Sequence, residues 1–479
     1  REQRPSVTSA SSIFTRSSLA DWRGEGAAMW RLGVPMALTQ LVQFSINTID
    51  VLMIGRLGPE ALAGASLGLV IFFALFMLGF GPAMAVSPLV SQVLGADPNN
   101  VREARRSVRM GLWVIIFAFP FAFILMALTT RFALGLGMPE AASRLAGPYV
   151  LALSAGLPFA LGIMVLRNFL AALDRTRVPL LLIVVTTLFN AALNWLLIYG
   201  NLGFPRLELV GAGIASSLSH MIGFALLVIY IEREAVSRRF ALFQRFFSLD
   251  WSALLEVLRL AWPISLMTLF EGLLFNACLL VTGRIGVDEV AAYQVALNVA
   301  ALAFMIPFGF AMAGSVRVGL AAGARNRDGI IRAVIITLTI AACVMMVWGV
   351  SVSLMPLTIA AAYLNIAEPD NRPVINLVAA MLPIAAAFMV FDGLQVVSNQ
   401  ALRGLKDVRL PMIFTGICYW IIGFPLAAYL ALATPLSAPG VFWGLLISLL
   451  AATLLLGGRL FYLLRLKETA LFAIALRAS

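Results

Sequence analysis

Twelve long apolar segments, separated by short polar connections, give the chain its pattern. They run at roughly 31–55, 60–93, 108–128, 145–172, 179–200, 210–232, 259–283, 289–321, 331–361, 373–402, 410–432 and 439–464. A helix of about 20 residues crosses the hydrocarbon core of a bilayer. Each segment therefore predicts one membrane-spanning helix, and several are long enough to tilt or to continue beyond the bilayer. Residues 1–27 are polar, rich in Ser and Arg, and lack the apolar core of a signal peptide; a cytoplasmic tail is expected there. The longest polar connection, 233–258, divides the segments six and six. Its stretch REAVSRRFALFQRFF suggests a short amphipathic surface helix. The expected organisation is a tail at 1–27, a six-helix lobe at 28–232, an interlobe linker at 233–258, a second lobe at 259–465 and a C-terminal tail at 466–479.

The two halves repeat. Residues 31–96 align without gaps on 259–324 at a fixed offset of 228, with 22 of the 66 pairs identical. Shared Leu and Ala could reflect membrane composition. Shared Pro35/Pro263, Gly55/Gly283, Arg56/Arg284, Gly58/Gly286, Ser87/Ser315 and Gly95/Gly323 point instead to a duplicated membrane unit. Six helices per half is an even number, so both halves share one orientation. An all-α polytopic membrane protein with two pseudo-symmetric six-helix lobes is predicted.

Composition agrees. Of 479 residues 61% are hydrophobic and 12% charged, and the mean hydropathy is +0.97, which excludes an ordinary soluble domain. A net charge of +11 could suggest nucleic acid, but its distribution argues otherwise. The termini and even-numbered loops carry 26 Arg and Lys, against 6 on the opposite side. Basic loops face the cytoplasm and its anionic lipid, so both termini are expected there, in a bacterial inner membrane. The cysteines Cys278, Cys343 and Cys418 fall in apolar runs, read as small buried hydrophobes, with no metal-ligand spacing. One histidine, His220, leaves no basis for a His-based metal site or catalytic triad. Gly-Xaa-Gly at 79–81 and 211–213 lacks a preceding strand and a phosphate-loop Lys. The chain is thus expected to bind no nucleotide and to be no enzyme; transport would have to draw on an ion gradient.

Three carboxylates interrupt the apolar runs: Asp50 in the first, Glu271 in the seventh and Asp392 in the tenth. A charge inside the membrane is costly and usually marks a substrate or ion pathway. Because desolvation penalises the ionised form, such a group can exchange a proton, hold Na⁺ or bind a cationic substrate. Asn190 and Asn194 lie one turn apart on the fifth segment. They could glue helices together, or join Asp50 around a cation or water. Gln43, Asn47 and Asp50 form a polar stripe that must face protein or water. Gln294 and Asn298 repeat the spacing in the eighth segment, and Asn399 and Gln400 add polarity beyond Asp392.

These stretches resemble the multidrug and toxic compound extrusion (MATE) family, and its NorM-type bacterial branch. PMALTQLVQFSINTIDVLMIGRLG is similar to the family's opening Pro…Gln…Asp…Gly pattern, and PISLMTLFEGLLF to a seventh helix with its acid. VAAYQVALNVAALAFMIPFGFAMAGSVRVG resembles the eighth helix, and FDGLQVVSNQALRGLKDVRLPM the tenth helix and its loop. RNFLAALDRTRVP is a degenerate copy of that loop in the first half. The resemblance implies a V-shaped pair of lobes, alternating access, and antiport of bulky, often cationic drugs against H⁺ or Na⁺, with no organic cofactor. Asp50, Asn190 and Asn194 match one cation-coupling locus, and Glu271 and Asp392 match the other, where Na⁺ is possible. Gln43, Asn47, Gln294, Asn298 and Phe388 are expected at the substrate cavity. Some NorM members carry a tyrosine where this chain has Phe388, so the site offers one oxygen fewer and a proton is favoured. Small organic cations and membrane lipid are the expected partners, with no nucleic acid, and the chain is expected to act as a monomer. A lipid-linked oligosaccharide flippase of the wider superfamily, or an exporter of an endogenous metabolite, are the alternatives. A flippase would need membrane-embedded basic residues for a pyrophosphate.

Overall fold

Backbone polar groups inside a bilayer must be satisfied within the chain, which helices achieve on their own. The structure, a computed structural model, describes residues 18–364 and 368–476, and no strand occurs among them. In chain order the helices are α1 (Leu19–Gly55), α2 (Pro59–Ala96), α3 (Val101–Ala127), α4 (Thr129–Gly135), α5 (Glu140–Ser154), α6 (Leu157–Ala172), α7 (Arg177–Tyr199), α8 (Glu208–Arg233) and α9 (Ala235–Arg238). The second half continues with α10 (Trp251–Gly283), α11 (Val287–Gly323), α12 (Arg327–Leu354), α13 (Pro356–Tyr363), α14 (Arg372–Gly404), α15 (Arg409–Gly416), α16 (Phe424–Leu432), α17 (Ala438–Arg465) and α18 (Glu468–Ala475). Among the described residues eleven helical stretches are long and apolar enough to cross a membrane, and the bent pair α5–α6 makes a twelfth. The protein is a multi-pass helical membrane protein.

Two spans depart from plain helix for physical reasons. The segment expected at 145–172 is α5 and α6, bent by 43°, with Pro158 in the first turn of α6. The break frees backbone groups in apolar surroundings. Ser217 of α8 takes them up, donating to the Ala152 carbonyl at 2.6 Å and accepting from the Gly156 N–H at 3.0 Å. The eleventh span joins α15 to α16 through a π-helical segment at Ile417–Gly423. There the Cys418 carbonyl accepts from the Ser448 hydroxyl of α17 at 2.8 Å.

The described ends are more ordered than their composition suggests. Residues 1–17 lie outside the described residues, but helix α1 begins at Leu19, inside the stretch expected as a tail. Glu25 is buried there, and Arg317 of α11 donates Nε to its Oε1 at 2.7 Å and Nη2 to its Oε2. Helix α18 buries Leu471 and Ala475 against Leu460, Leu463 and Leu464, so part of 466–479 is also packed structure.

The chain divides into two compact units. One comprises Leu38–Ser265; the other joins the chain up to Ala37 with Leu266–Arg477. The boundaries fall 228 residues apart, the offset of the sequence repeat, and each lies two residues beyond a proline inside a helix, Pro35 in α1 and Pro263 in α10. Each unit therefore contains the opening stretch of the other repeat's first helix. In one, Gly309 of α11 meets the α1 backbone so closely that a Cβ on it would lie 2.3 Å from Ala37 Cα. In the other the equivalent Gly81 of α2 meets α10: a Cβ would lie 2.1 Å from the Ala261 carbonyl oxygen, and the Gly81 N–H donates to Ser265 Oγ at 3.2 Å. Only glycine permits backbones to approach like this. The stretch 233–258, expected as a connection between lobes, packs within the first of these units, where Phe240 is fully buried edge-on to Phe169 at 5.2 Å.

Candidate ion-coupling sites in the two units

In the unit Leu38–Ser265, a carboxylate is held by two polar side chains that a third braces. Asn194 donates Nδ2 to Asp50 Oδ1 at 2.5 Å, and Ser216 donates Oγ to Asp50 Oδ2 at 3.2 Å. Asn190 closes the ring: its Nδ2 donates to Ser216 Oγ at 3.3 Å, and its Oδ1 accepts from Asn194 Nδ2 at 3.3 Å. Helices α1, α7 and α8 supply the four residues, and the 3.6-residue period of α7 stacks Asn190 over Asn194. Both asparagines are buried, at 3% and 0% exposure. Asn194 Oδ1 alone is left without a partner. Asn194 thus touches Asp50 directly, and Asn190 does so only through Asn194 and Ser216. Ser216 was not singled out from the sequence, because serine is common in membrane helices and nothing in its spacing distinguishes it.

Two to three turns toward the start of α1, the polar stripe meets a cation. Arg167 of α6 donates Nη1 to Gln43 Oε1 at 3.3 Å and Nη2 to Gln40 Oε1 at 3.2 Å. Its hydrogen-bond partners are neutral amides. Asn47 of the same stripe is exposed.

In the other unit, α10 and α14 bring Glu271 and Asp392 within electrostatic reach of one another. Arg403 of α14 and Tyr419 of the π-helical segment share the same environment. Asp392, Asn399, Gln400 and Arg403 are all nearly buried. Each retains an unsatisfied polar atom: Asp392 Oδ1, Asn399 Oδ1, Gln400 Nε2 and Arg403 Nε, joined by Tyr419 OH. Buried polar atoms of this kind are ordinarily satisfied by a protein partner or an ordered water. Arg403 was counted with Lys406 and Arg409 as a loop charge; it lies instead inside the last turn of α14. Tyr419 could not be found by helical spacing, because π-helical winding re-aims it.

The remaining expected residues lie elsewhere. Phe388 is 1% exposed and packs edge-on against Phe275 and Phe442, each at 6.1 Å, within the apolar core. Gln294 and Asn298 are exposed, and Asn298 Oδ1 accepts from Tyr363 OH at 2.9 Å. Among the described residues no three His, Cys, Asp or Glu side chains gather as a metal site would require. A Na⁺ ion at Glu271 and Asp392 would have two carboxylates to bind it, with the Arg403 cation in the same electrostatic environment. That set fits Na⁺ poorly.

With paired acid clusters on repeated six-helix halves described, comparison with known proteins is decisive. The MatE family model matches residues 35–196 and 263–429, two matches that begin at Pro35 and Pro263. The chain belongs to the MatE family. Relatives include a probable multidrug resistance protein NorM of Rhizobium meliloti, 39% identical over 459 residues and covering 96% of this chain and 98% of the relative. Another, of the same name from Mesorhizobium japonicum, is 39% identical over 425 residues, or 88% and 91%. Solved MatE-type folds superpose over nearly the whole chain. The eukaryotic MATE transporter AtDTX14 gives a TM-score of 0.84 at 19% identity, covering 96% of this chain and all of that one. An outward-facing multidrug resistance MATE family transporter gives 0.82 at 22%, covering 97% and 99%. At these identities the structures speak for the fold.

Proposed function

We propose that this MatE protein is a cation-coupled antiporter that exports bulky, often cationic organic compounds across a bacterial inner membrane, with both termini cytoplasmic. The observation that carries the reading is Asp50, an acid within a spanning helix, held by Asn194 and Ser216, which Asn190 braces. The naming of its NorM relatives supports the multidrug assignment.

The chemistry follows from donors and acceptors. Ionised Asp50 accepts from Asn194 and Ser216. Once protonated, Asp50 becomes a donor and needs an acceptor. Turning the Asn194 amide presents Oδ1, the one atom of the ring without a partner. Protonation thus exchanges one set of hydrogen bonds for another and loosens α1 from α7. In the second unit, binding of a cation by Glu271 or Asp392 is felt by the other acid and by Arg403. Ion and substrate need only have opposite preferences for the two conformations, or compete for the same acids. The coupling ion is a proton in this reading: one carboxylate suffices for it, whereas Na⁺ wants several oxygens.

The test is dye efflux from everted vesicles with ΔpH and a Na⁺ gradient imposed separately. Efflux driven by ΔpH alone is expected. Vigorous efflux driven by Na⁺ in the presence of an uncoupler overturns the proton assignment, and no efflux under either gradient overturns the antiporter.

A second reading draws on Arg167, a membrane-embedded cation whose partners are neutral. It would suit an anionic substrate such as a lipid-linked pyrophosphate. Isosteric cationic and anionic dyes separate the readings: faster export of the anion favours the second.

A further inference from the structure

Helix α3 opens with four arginines, Arg102, Arg105, Arg106 and Arg109, at the i, i+3, i+4, i+7 spacing of a single helix face. Opposite them runs the stretch before α10, which contributes Arg245 and Asp250. Together they line an open pocket of about 300 Å³. Its carboxylates are already committed. Arg106 pairs with Glu103 Oε2 at 3.1 Å and with Asp250 Oδ2 at 2.7 Å, and donates to Ser252 Oγ at 2.6 Å. The Arg106 guanidinium holds the Asp250 carboxyl well below the usual carboxylate range. Arg105 and Arg109 donate to neutral oxygens, Gln244 Oε1 at 2.9 Å and the Arg245 carbonyl at 3.0 Å. The Arg102 and Arg245 side chains are exposed. Five guanidinium charges therefore face one pocket against two carboxylates, and only Arg106 pairs with them directly.

The surroundings say what kind of anion would come. The apolar run of α3 begins at Met110, directly below the arginines. Trp113, one turn on from Arg109, stacks on Phe246 at 5.5 Å and donates its indole N–H to the Phe246 carbonyl at 2.8 Å. Phe247 is 84% exposed and Trp251 64%. Indole rings at this level are the mark of the membrane–water interface. Further along the same face, at i+4 steps from Trp113, Phe117 and Phe121 are also exposed. The pocket thus stands at headgroup depth, above an apolar stripe of acyl-chain length.

We propose that this pocket binds the phosphate of an anionic phospholipid, with the acyl chains lying along Trp113, Phe117 and Phe121. Guanidinium forks match phosphate oxygens in geometry and charge, and the stripe supplies what a free phosphate would not use. None of the lining residues belongs to the Asp50 cluster or to the pair Glu271 and Asp392, so the proposal does not depend on the transport reading.

The experiment uses the purified, delipidated full-length chain in detergent. Phosphatidylglycerol, phosphatidylcholine and inorganic phosphate are added separately, and binding is read by native mass spectrometry and by the melting temperature. Phosphatidylglycerol should bind and raise the melting temperature. The double variant Arg102→Gln/Arg245→Gln removes two charges that no internal acid balances, and should bind it roughly 25-fold more weakly, with lipid-free melting unchanged. Arg206→Gln, at an exposed ion pair elsewhere, should bind as the unaltered chain does. Equal binding of phosphatidylcholine, equal protection by inorganic phosphate, or undiminished binding by the double variant would each overturn the proposal.

Discussion

Asp50 and Asn194 lie 144 residues apart in the chain, and their side chains meet at 2.5 Å. With the Ser216 hydroxyl on the second carboxylate oxygen, the contact ties α1 to α7 and α8. It makes the charge of Asp50 the natural control point of its unit.

Replacing Asp50 by Asn keeps size and removes that charge. Dye efflux should fall more than tenfold while the detergent melting temperature stays near that of the parent. Ser216→Ala removes one charge-assisted bond, about 1.5–3 kcal/mol in typical cases, and should cost efflux less than Asp50→Asn does. Wild-type efflux from both variants would remove this cluster from the mechanism.

The Glu25–Arg317 pair ties α1 to α11 where a tail was expected. Glu25→Gln removes the carboxylate to which Arg317 donates twice. Breaking buried pairs costs about 3–5 kcal/mol, and the partial exposure of Arg317 should bring the loss toward the lower end. The double variant Glu25→Gln/Arg317→Gln should recover part of it. Chemical unfolding in mixed micelles would measure both, and a Glu25→Gln protein as stable as the parent would contradict the strut.

Gly81 and Gly309 occupy equivalent positions and equivalent contacts. Alanine at either forces a helix backbone aside, and overpacking typically costs about 1–3 kcal/mol. The two variants should melt earlier by similar amounts. Gly458→Ala, which would meet nothing within 4 Å, should not. A large inequality between Gly81→Ala and Gly309→Ala would mean the two contacts are not mechanical equivalents.

Asp250 gives a pH signature. Its folded-state proton affinity is lowered, first by Arg106 and then by Ser252. Its contribution is therefore fully present above the ordinary carboxylate range and disappears as pH falls through the lower folded value. Hydrogen exchange of 244–252 should be flat from pH 8 to 5 after correction for intrinsic rates. Asp250→Asn at neutral pH should loosen the same segment. Unchanged protection in that variant would show the pair to be ornamental.

The spans and the acids were legible because both rest on single-residue physics: long apolar runs have one solution in lipid, and a carboxylate within one stands out. What the sequence concealed needs a partner to be seen. Glu25 looks like tail until Arg317, 292 residues away, is placed beside it. Arg403 reads as a loop charge beside Lys406 and Arg409, although it is buried at 6% exposure. Tyr419 owes its position to a π-helical turn, which a 3.6-residue period cannot forecast. Phe388 stands one turn from Asp392, and its packing on Phe275 and Phe442 is a contact between distant stretches that no sequence pattern shows.

The unit boundaries after Ala37 and Ser265 bear on how the chain could be divided. Severing it near Gln244, the obvious place to separate the repeats, would not yield one complete unit per fragment. The first piece would keep 1–37 of one unit with most of the other; the second would keep 245–265 of that other unit with most of its own. Neither could fold to completion alone, and two such pieces made together would have to assemble like strands of a splice. Gene duplication here produced halves that are reciprocally incomplete, each finished by the opening of its twin.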